Sequence, residues 1–249
     1  MDKLVYTAAT GLRAHMAAQA SIANNMANVS TTGFRADRVV FDRIELKGGG
    51  SAFEARMPTS EEVTDADRSP GAIQQTNRPL DVAMTGDAWL AVQAGDGSEA
   101  YTRRGDLSVA ASGVLQTGDG FPVMGGGGPI TLPPADKIMI AADGTISIVP
   151  QGGDPNAPQA VDRLKLASTK GSDTVKGLDN LLRVRGGGAL PDDLDATVQT
   201  GALEGSNVNM TQALVDMIEN QRSYEVQANL LKEARTMDEG GASLMRLPS

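Results

Sequence analysis

The side chains able to do acid–base or metal chemistry do not fall in the spacings that such chemistry needs. His15 is the only histidine. It stands inside a helical pattern without the i+4 partner that a zinc-binding helix needs, so it reads as a surface or interface residue. Glu61, Glu62, Asp65 and Asp67 lie close together but lack the alternating spacing and central glycine of a calcium loop. They read as a solvated face. Lys170-Gly171-Ser172 is in the wrong order for a phosphate loop, and the run Gly125–Gly128 leads into Pro129 rather than a helix. There is no cysteine, so neither a disulfide nor a thiolate metal site can form. No G-x-S-x-G elbow occurs. A carboxylate pair for glycoside hydrolysis is set in space rather than in sequence, and nothing singles one out. The expectation is no catalytic residue, no cofactor site and no metal site.

The informative polar residues stand instead at the ends of two long amphipathic segments. The first runs from about Lys3 to Asn28, with apolar positions Val5, Ala9, Leu12, Met16, Ala23 and Met26. The second runs from about Met210 to Met237, with Met210, Leu214, Met217, Tyr224, Ala228 and Leu231. Both alternate steps of four and three, a coiled-coil seam, and each is interrupted once, by Gln19 and by Gln221. As helices they would be roughly 40 Å long. Asp2 and Asn209 are the expected N-caps, with Gln212 completing a capping-box pattern, and Gly240-Gly241 is the expected stop. At the end of the first helix, Asn24, Asn25 and Asn28 can cap their own helix or satisfy backbone groups of a neighbouring copy. Ser30-Thr31-Thr32-Gly33 is turn chemistry, and Phe34 should bury its ring where the chain leaves the helix. Both helices are apolar on more than one side: Leu4 and Ile22 with many alanines on the first, Val215, Ile218, Val226 and Leu230 on the second. Such helices need several neighbours. Two arrangements meet that need: helices poorly ordered in the monomer that fold on assembly, or a helical subdomain packed on the rest of the chain.

Between the helices the period changes. Val39-Val40-Phe41 is a short strand candidate. Gly48–Arg68, rich in Gly, Ser, acids and Pro, is expected to be exposed with little structure. From Gly71 to Gly201 short strand candidates follow at Leu80–Met84, Trp89–Gln93, Leu107–Ala110, Ile138–Ala141, Thr145–Val149, Arg163–Ala167 and Leu181–Val184. Turn signals separate them at Gly95-Asp96-Gly97, Ser112-Gly113, Gly118-Asp119-Gly120 and Asp143-Gly144. The expected fold class is α+β: terminal helices forming a coiled-coil unit, and a central all-β domain built as an antiparallel barrel or sandwich. The expected divisions are 1–34, 35–70, 71–201 and 202–249. With 40% apolar but only 3% aromatic residues, the core must rest on Val, Leu, Ile, Ala and Met. A net charge of −9 argues against nucleic acid as a partner. No run of about 18 apolar residues is present, and residues 1–28 lack a signal-peptide pattern, so export would need another route.

Four blocks carry a resemblance to a known family. They are Ala23–Arg35 (ANNMANVSTTGFR), Thr76–Met84 followed by Gly86, Tyr101–Gly105 followed by Gly113-Val114-Leu115 and Gly120, and Gly201–Asn209 (GALEGSNVN) followed by Met217-Ile218, Arg222 and Tyr224-Glu225. In them the chain closely resembles the flagellar axial proteins of the rod, the hook and the hook–filament junction. Met1–Tyr6, Val29–Asp37 and Gly240–Leu244 resemble the proximal-rod type, whereas the distal-rod type reads Asn where Ser30 stands. The chain departs from the family at Ala88-Trp89, where an aromatic pair is usual, at Leu107, where Phe is common, and at Arg78.

The resemblance implies terminal helices in the core of a helical tube, with the β domain outside it. It implies subunits exported unfolded by the flagellar type III apparatus without signal cleavage, and a periplasmic rod that transmits torque to the hook. The implied partners are further copies, other proximal and distal rod proteins and that apparatus, with no nucleic acid and no small-molecule substrate. The implied assembly residues on the N-terminal side are Val5, Leu12, Met16, Ile22, Asn24, Asn25, Met26, Asn28, Gly33 and Phe34. On the C-terminal side they are Asn207, Met210, Leu214, Met217, Ile218, Arg222, Tyr224, Glu225 and Leu231. The rival readings are a distal-rod or hook subunit, and a secreted β-rich binding module with helical oligomerisation arms. Against the latter stands the single Trp89.

Overall fold

The computed structural model describes residues 2–43 and 59–245, with side chains over 9–38 and 66–233 together with 235–237 and 240. The chain forms two units. One comprises 1–27, 37–64 and 209–249, the other 28–36 and 65–208.

The first unit is built on two helices, α1 (Asp2–Ala27) and α2 (Met210–Met245), with a two-stranded sheet of β1 (Asp37–Arg43) and β2 (Thr59–Ala66). The helices run antiparallel: Gly11 lies against Gln227, and His15 bonds to Asn220. Asn209 caps α2 as expected, its Oδ1 accepting from the N–H groups of Thr211 (3.0 Å) and Gln212 (3.2 Å). Gln212 turns forward to Asp216 (2.8 Å), so the reciprocal bond of a capping box is not made. The Asp2 cap falls outside the described side chains.

Several expectations are corrected here. Gly240-Gly241 does not stop α2, which runs on to Met245. Glycine in a helix costs only about 1 kcal/mol relative to alanine and keeps its N–H, so the ladder continues. Of the stretch 48–68 expected to have little structure, 48–58 lie outside the described residues, while 59–66 form β2, whose last residue, Ala66, is buried. The β-branched residues Thr59, Val63 and Thr64 among the acids suit a strand paired with β1.

The helix seam also differs. The less exposed residues of α2 are Ala213, Asp216, Met217, Asn220, Tyr224, Gln227, Ala228 and Leu231, a four–three repeat with Asp216 and Ala228 at its edges that shares Met217, Tyr224, Ala228 and Leu231 with the expected one. Met210 and Leu214 are 41% and 45% exposed, and on α1 Met16 is 59% exposed with Ala23 also on the outside. Gln19 and Gln221 are exposed rather than in the contact. The polar residues that do enter it are His15, Asn220 and Gln227. A helix apolar on several sides offers more than one stripe, and hydrophobic periodicity does not choose between them.

The second unit is β structure. Its strands in chain order are β3 (Ile73–Gln75), β4 (Val82–Met84), β5 (Ala88–Gln93), β6 (Glu99–Thr102), β7 (Leu107–Val109), β8 (Leu115–Thr117), β9 (Met124–Gly125) and β10 (Gly128–Pro129). Then follow β11 (Ala135–Ile140), β12 (Thr145–Pro150), β13 (Gln159–Arg163), β14 (Leu166–Ser168), β15 (Thr174–Lys176), β16 (Leu182–Val184), β17 (Val198–Thr200) and β18 (Ala202–Glu204). The largest sheet has the order β14-β5-β6-β16-β15, and each pairing is antiparallel, with Leu90 opposite Leu166 on one side and Thr102 on the other. β5 is buried on both faces. Leu90 and Val92 enter a large core with Val82, Leu115, Val123, Ile146 and Leu164. Trp89 and Ala91 enter a smaller one with Tyr101, Ala167, Leu182 and Leu190.

No closed barrel or sandwich forms among the described residues. The other strands make separate small sheets, the largest being β11-β12-β13. Strands this short turn over before they can close, and register shifts at Ala135/Lys137 and Ile146/Ser147 bend the three-stranded sheet. The Gly125–Gly128 run closes the β9–β10 hairpin, and the Arg163–Ala167 candidate is split between β13 and β14. The turn signals hold: Gly97, Gly113, Gly120 and Gly144 all take positive φ. The core is aliphatic as expected, with Phe34, Trp89 and Tyr101 its buried aromatics.

Candidate functional site

All four sequence blocks meet at one buried ionic cluster in the β unit. The turn after Asn28 brings Gly33 in at φ +67°, where an added Cβ would stand 2.4 Å from the backbone of Arg103. Only glycine fits both the conformation and the approach. Its N–H donates to the carbonyl of Glu204 (2.7 Å). Phe34 buries its ring, as expected, under the Nζ of Lys176, 3.8 Å from the ring centre. Arg35 then pairs with the Glu204 carboxylate at 2.6 Å, and Arg103 reaches its other oxygen at 3.1 Å. These three side chains are 2–3% exposed. The N–H of Gly71 adds a third donor to the carboxylate (2.8 Å).

Cations outnumber the carboxylate. Arg35 Nε and Nη1 and Arg103 Nε are buried without a hydrogen-bond partner. Both guanidiniums lie over the ring of Trp89, at 5.7 Å and 5.2 Å, so its π face takes up charge that Glu204 does not. Arg103 also donates to the carbonyls of Met84 (2.9 Å) and Gly86. Burial pulls the Arg103 pKa down, and Glu204 opposes that pull.

What this cluster does is fasten chain. The Lys176 ammonium donates to the carbonyl of Arg35 (2.7 Å). Asn207 Oδ1 accepts from Ala36 N–H (2.7 Å), while its Nδ2 donates to the carbonyls of Asp67 and Ser69, both at 3.0 Å. Segments 33–36, 67–71 and 204–207 are thereby tied together although they lie far apart in sequence. Sealed from water, the cluster offers no group to a substrate. Arg35, Arg103 and Glu204 were quoted in the blocks without any role. The available signal was a charged residue set among glycine and apolar neighbours in each block.

In the helical unit the asparagines act at home. Asn25 brackets Asp37, accepting from its N–H (2.7 Å) and donating to its carbonyl (3.0 Å). Asn24 donates to the Asp37 carboxylate (2.5 Å). In the β unit, Asn28 Oδ1 accepts from the Thr31 hydroxyl (3.0 Å). Leu12, Ile22 and Met26 are half-buried on α1, and the side chain of Val5 lies outside the described residues. Met217, Tyr224 and Leu231 are half-buried on α2. Met210, Leu214 and Ile218 share an exposed side, joined by Val215, and Arg222 and Glu225 are exposed as well. Among the described residues no three His, Asp or Glu side chains converge as a metal set, and no helix is long and apolar enough to cross a membrane.

Three family models match this chain in order. They are the flagella basal body rod protein model over 5–35, the flagellar hook protein FlgE/F/G D1 domain over 83–148, and the flagellar basal body rod FlgEFG protein C-terminal model over 199–244. The chain is 41% identical over 237 residues to the flagellar basal-body rod protein FlgF of Salmonella typhimurium strain LT2, covering 93% of each chain. It is 40% identical over 237 residues, with the same coverage, to FlgF of Escherichia coli strain K12. Against the flagellar basal-body rod protein FlgG of Bacillus subtilis strain 168 it is 31% identical over 252 residues, covering 93% of this chain and 94% of that one.

Proposed function

The chain belongs to the flagellar basal-body rod protein family, and we propose that it polymerises through its terminal helices in the proximal part of the rod. It is a structural subunit of the flagellar basal body and not an enzyme. The observation that carries the assembly reading is the exposed apolar side of α2. Leu214 and Ile218 keep 45% and 53% of their surface in water although α2 already has a partner in α1. At about 25 cal/mol per Å², covering such a row on many copies gives a tube a large cumulative stabilisation.

Leu214, Ile218 and Met210 form the outer contact in this reading, with Arg222 and Glu225 as polar rim. Met217, Tyr224 and Leu231 serve the inner pair with Leu12, Ile22 and Met26. Gly33, Phe34 and Asn207 anchor the chain at the ionic cluster. The partners are further copies and other rod subunits, proximal and distal. The location is the periplasmic rod, reached through the flagellar type III apparatus without a cleaved signal. The higher identity to FlgF of Salmonella typhimurium than to FlgG of Bacillus subtilis, 41% against 31%, supports the proximal position.

Leu214→Asp and Ile218→Asp test this. Both should abolish swarming while purified protein keeps its β structure and its helix content. Normal swarming of both variants at normal protein levels would overturn the outer contact.

A further inference from the structure

We infer that His15 and Asn220 form a clasp that sets the rotation and register of α2 on α1, and so decides which apolar stripe of α2 is left outward. Asn220 is 9% exposed in the middle of the inner stripe. A carboxamide there is tolerated only if both its ends are partnered. Both are, by one residue: Nδ2 donates to the backbone carbonyl of His15 (2.9 Å), and Oδ1 lies 2.8 Å from its Nδ1. The carbonyl can only accept, so Nδ2 must face it and Oδ1 must face the ring. His15 Nδ1 therefore carries a hydrogen and donates it. A shift of α2 by one residue moves it about 1.5 Å and turns it about 100°, which breaks both bonds together.

Apolar burial does not account for the observed face. The inner stripe includes Ala213, Asn220 and Gln227, whereas a turn of less than one residue step would bring the exposed Met210 and Leu214 onto α1 and bury the half-buried Ala228 further, a more apolar row. The helix pair uses the less apolar row, and the bonds that row makes possible are those of Asn220. A single buried asparagine can fix coiled-coil register at a cost in stability. Gly11 makes a second fixed point, because the Gln227 carboxamide occupies the space its Cβ would need, 2.1 Å away. The consequence, that the larger side chains stay available to neighbours, rests on the assembly reading above. The clasp is a property of the single chain.

The chain lacks cysteine, so two can be added cleanly. Nitroxide labels on Arg13→Cys and Arg222→Cys, both exposed positions, report the pairing by pulsed electron resonance on the full-length protein. One distance is expected in the labelled parent. Asn220→Leu and His15→Leu, each in that background, should split it, the second population being that of α2 turned by less than one residue step toward Met210 and Leu214. Helix content and unfolding midpoint should stay equal or rise in Asn220→Leu, which removes the buried carboxamide together with its bonds. That combination separates a register role from a merely stabilising one. A single unchanged distance in either variant overturns the clasp, and so does the absence of a defined distance in the parent. Swarming of the Leu214 and Ile218 variants fails or survives independently of this result.

Discussion

In the β unit Leu90, Val92 and Ile146 are sealed from water, and even Arg35, Arg103 and Glu204 are buried. On α2 the same kinds of apolar side chain, Ile218 and Leu230, are each 53% exposed, while the residues held inside are a small alanine, Ala213, and an asparagine, Asn220. The two regions have opposite arrangements of polar and apolar groups. A domain that folds for itself hides its large apolar residues and pairs whatever charge it buries. A helix pair that leaves its larger residues outside and spends an amide on register is built to be completed by something else. The difference separates stability from assembly: substitutions in the cluster should act on the β unit, and those on the outer stripe on the polymer.

The contrast can be attacked at its strongest point first. Glu204→Gln leaves two buried guanidiniums with one weakened partner. Removing one side of a buried pair typically costs about 3–5 kcal/mol. Denaturant unfolding followed by Trp89 fluorescence should show a loss of that size, and an unchanged midpoint would mean that the cluster holds nothing. Gly33→Ala comes next, since it adds a Cβ at positive φ and against the Arg103 backbone. About 2 kcal/mol of the same unfolding free energy should go. A smaller effect belongs to the other unit: Asn209→Ala removes the α2 cap and should cost about 1 kcal/mol of helix stability, read by circular dichroism.

The smallest concerns a partly exposed pair. The hydrogen bonds and charge of Arg183 hold Asp179 below the usual carboxylate range. A carboxylate whose folded pKa is depressed stabilises the fold above its unfolded value and loses that contribution as the pH falls through the folded one. Asp179→Asn should therefore cost under about 1 kcal/mol at neutral pH and nothing at a pH low enough to protonate the parent. A variant equally destabilised at both pH values would place the effect in packing instead.

Sequence periodicity located both helices because 26 and 36 residues of helical spacing leave little room for another reading. It placed Met217, Tyr224, Ala228 and Leu231 in the contact but Met210 and Leu214 where Ala213 and Asn220 stand, because the larger apolar pair makes the better hydrophobic stripe and the deciding bond joins residues 205 positions apart. Turn chemistry placed Gly97, Gly113, Gly120 and Gly144 well, since a positive φ is a local demand. Strands of three residues such as β3, β17 and β18 carry too few positions for a period and are held by partners far along the chain. The ionic cluster was on the page in the blocks Gly33-Phe34-Arg35, Tyr101–Gly105 and Leu203-Glu204-Gly205. Pairing of charges across long separations has no local signature, so Arg35, Arg103 and Glu204 went unassigned while Phe34 and Gly33 were correctly read as a turn and an anchor.

Hydrogen exchange on the purified monomer measures the contrast directly. Amides of β5, β6 and β12 should exchange only by global opening of the β unit, while those of α1 and α2 exchange faster by orders of magnitude through local opening of a helix pair not yet covered by neighbours. Helices protected as strongly as β5 would mean that the pair is complete by itself, and the division between a finished unit and an unfinished one would fall.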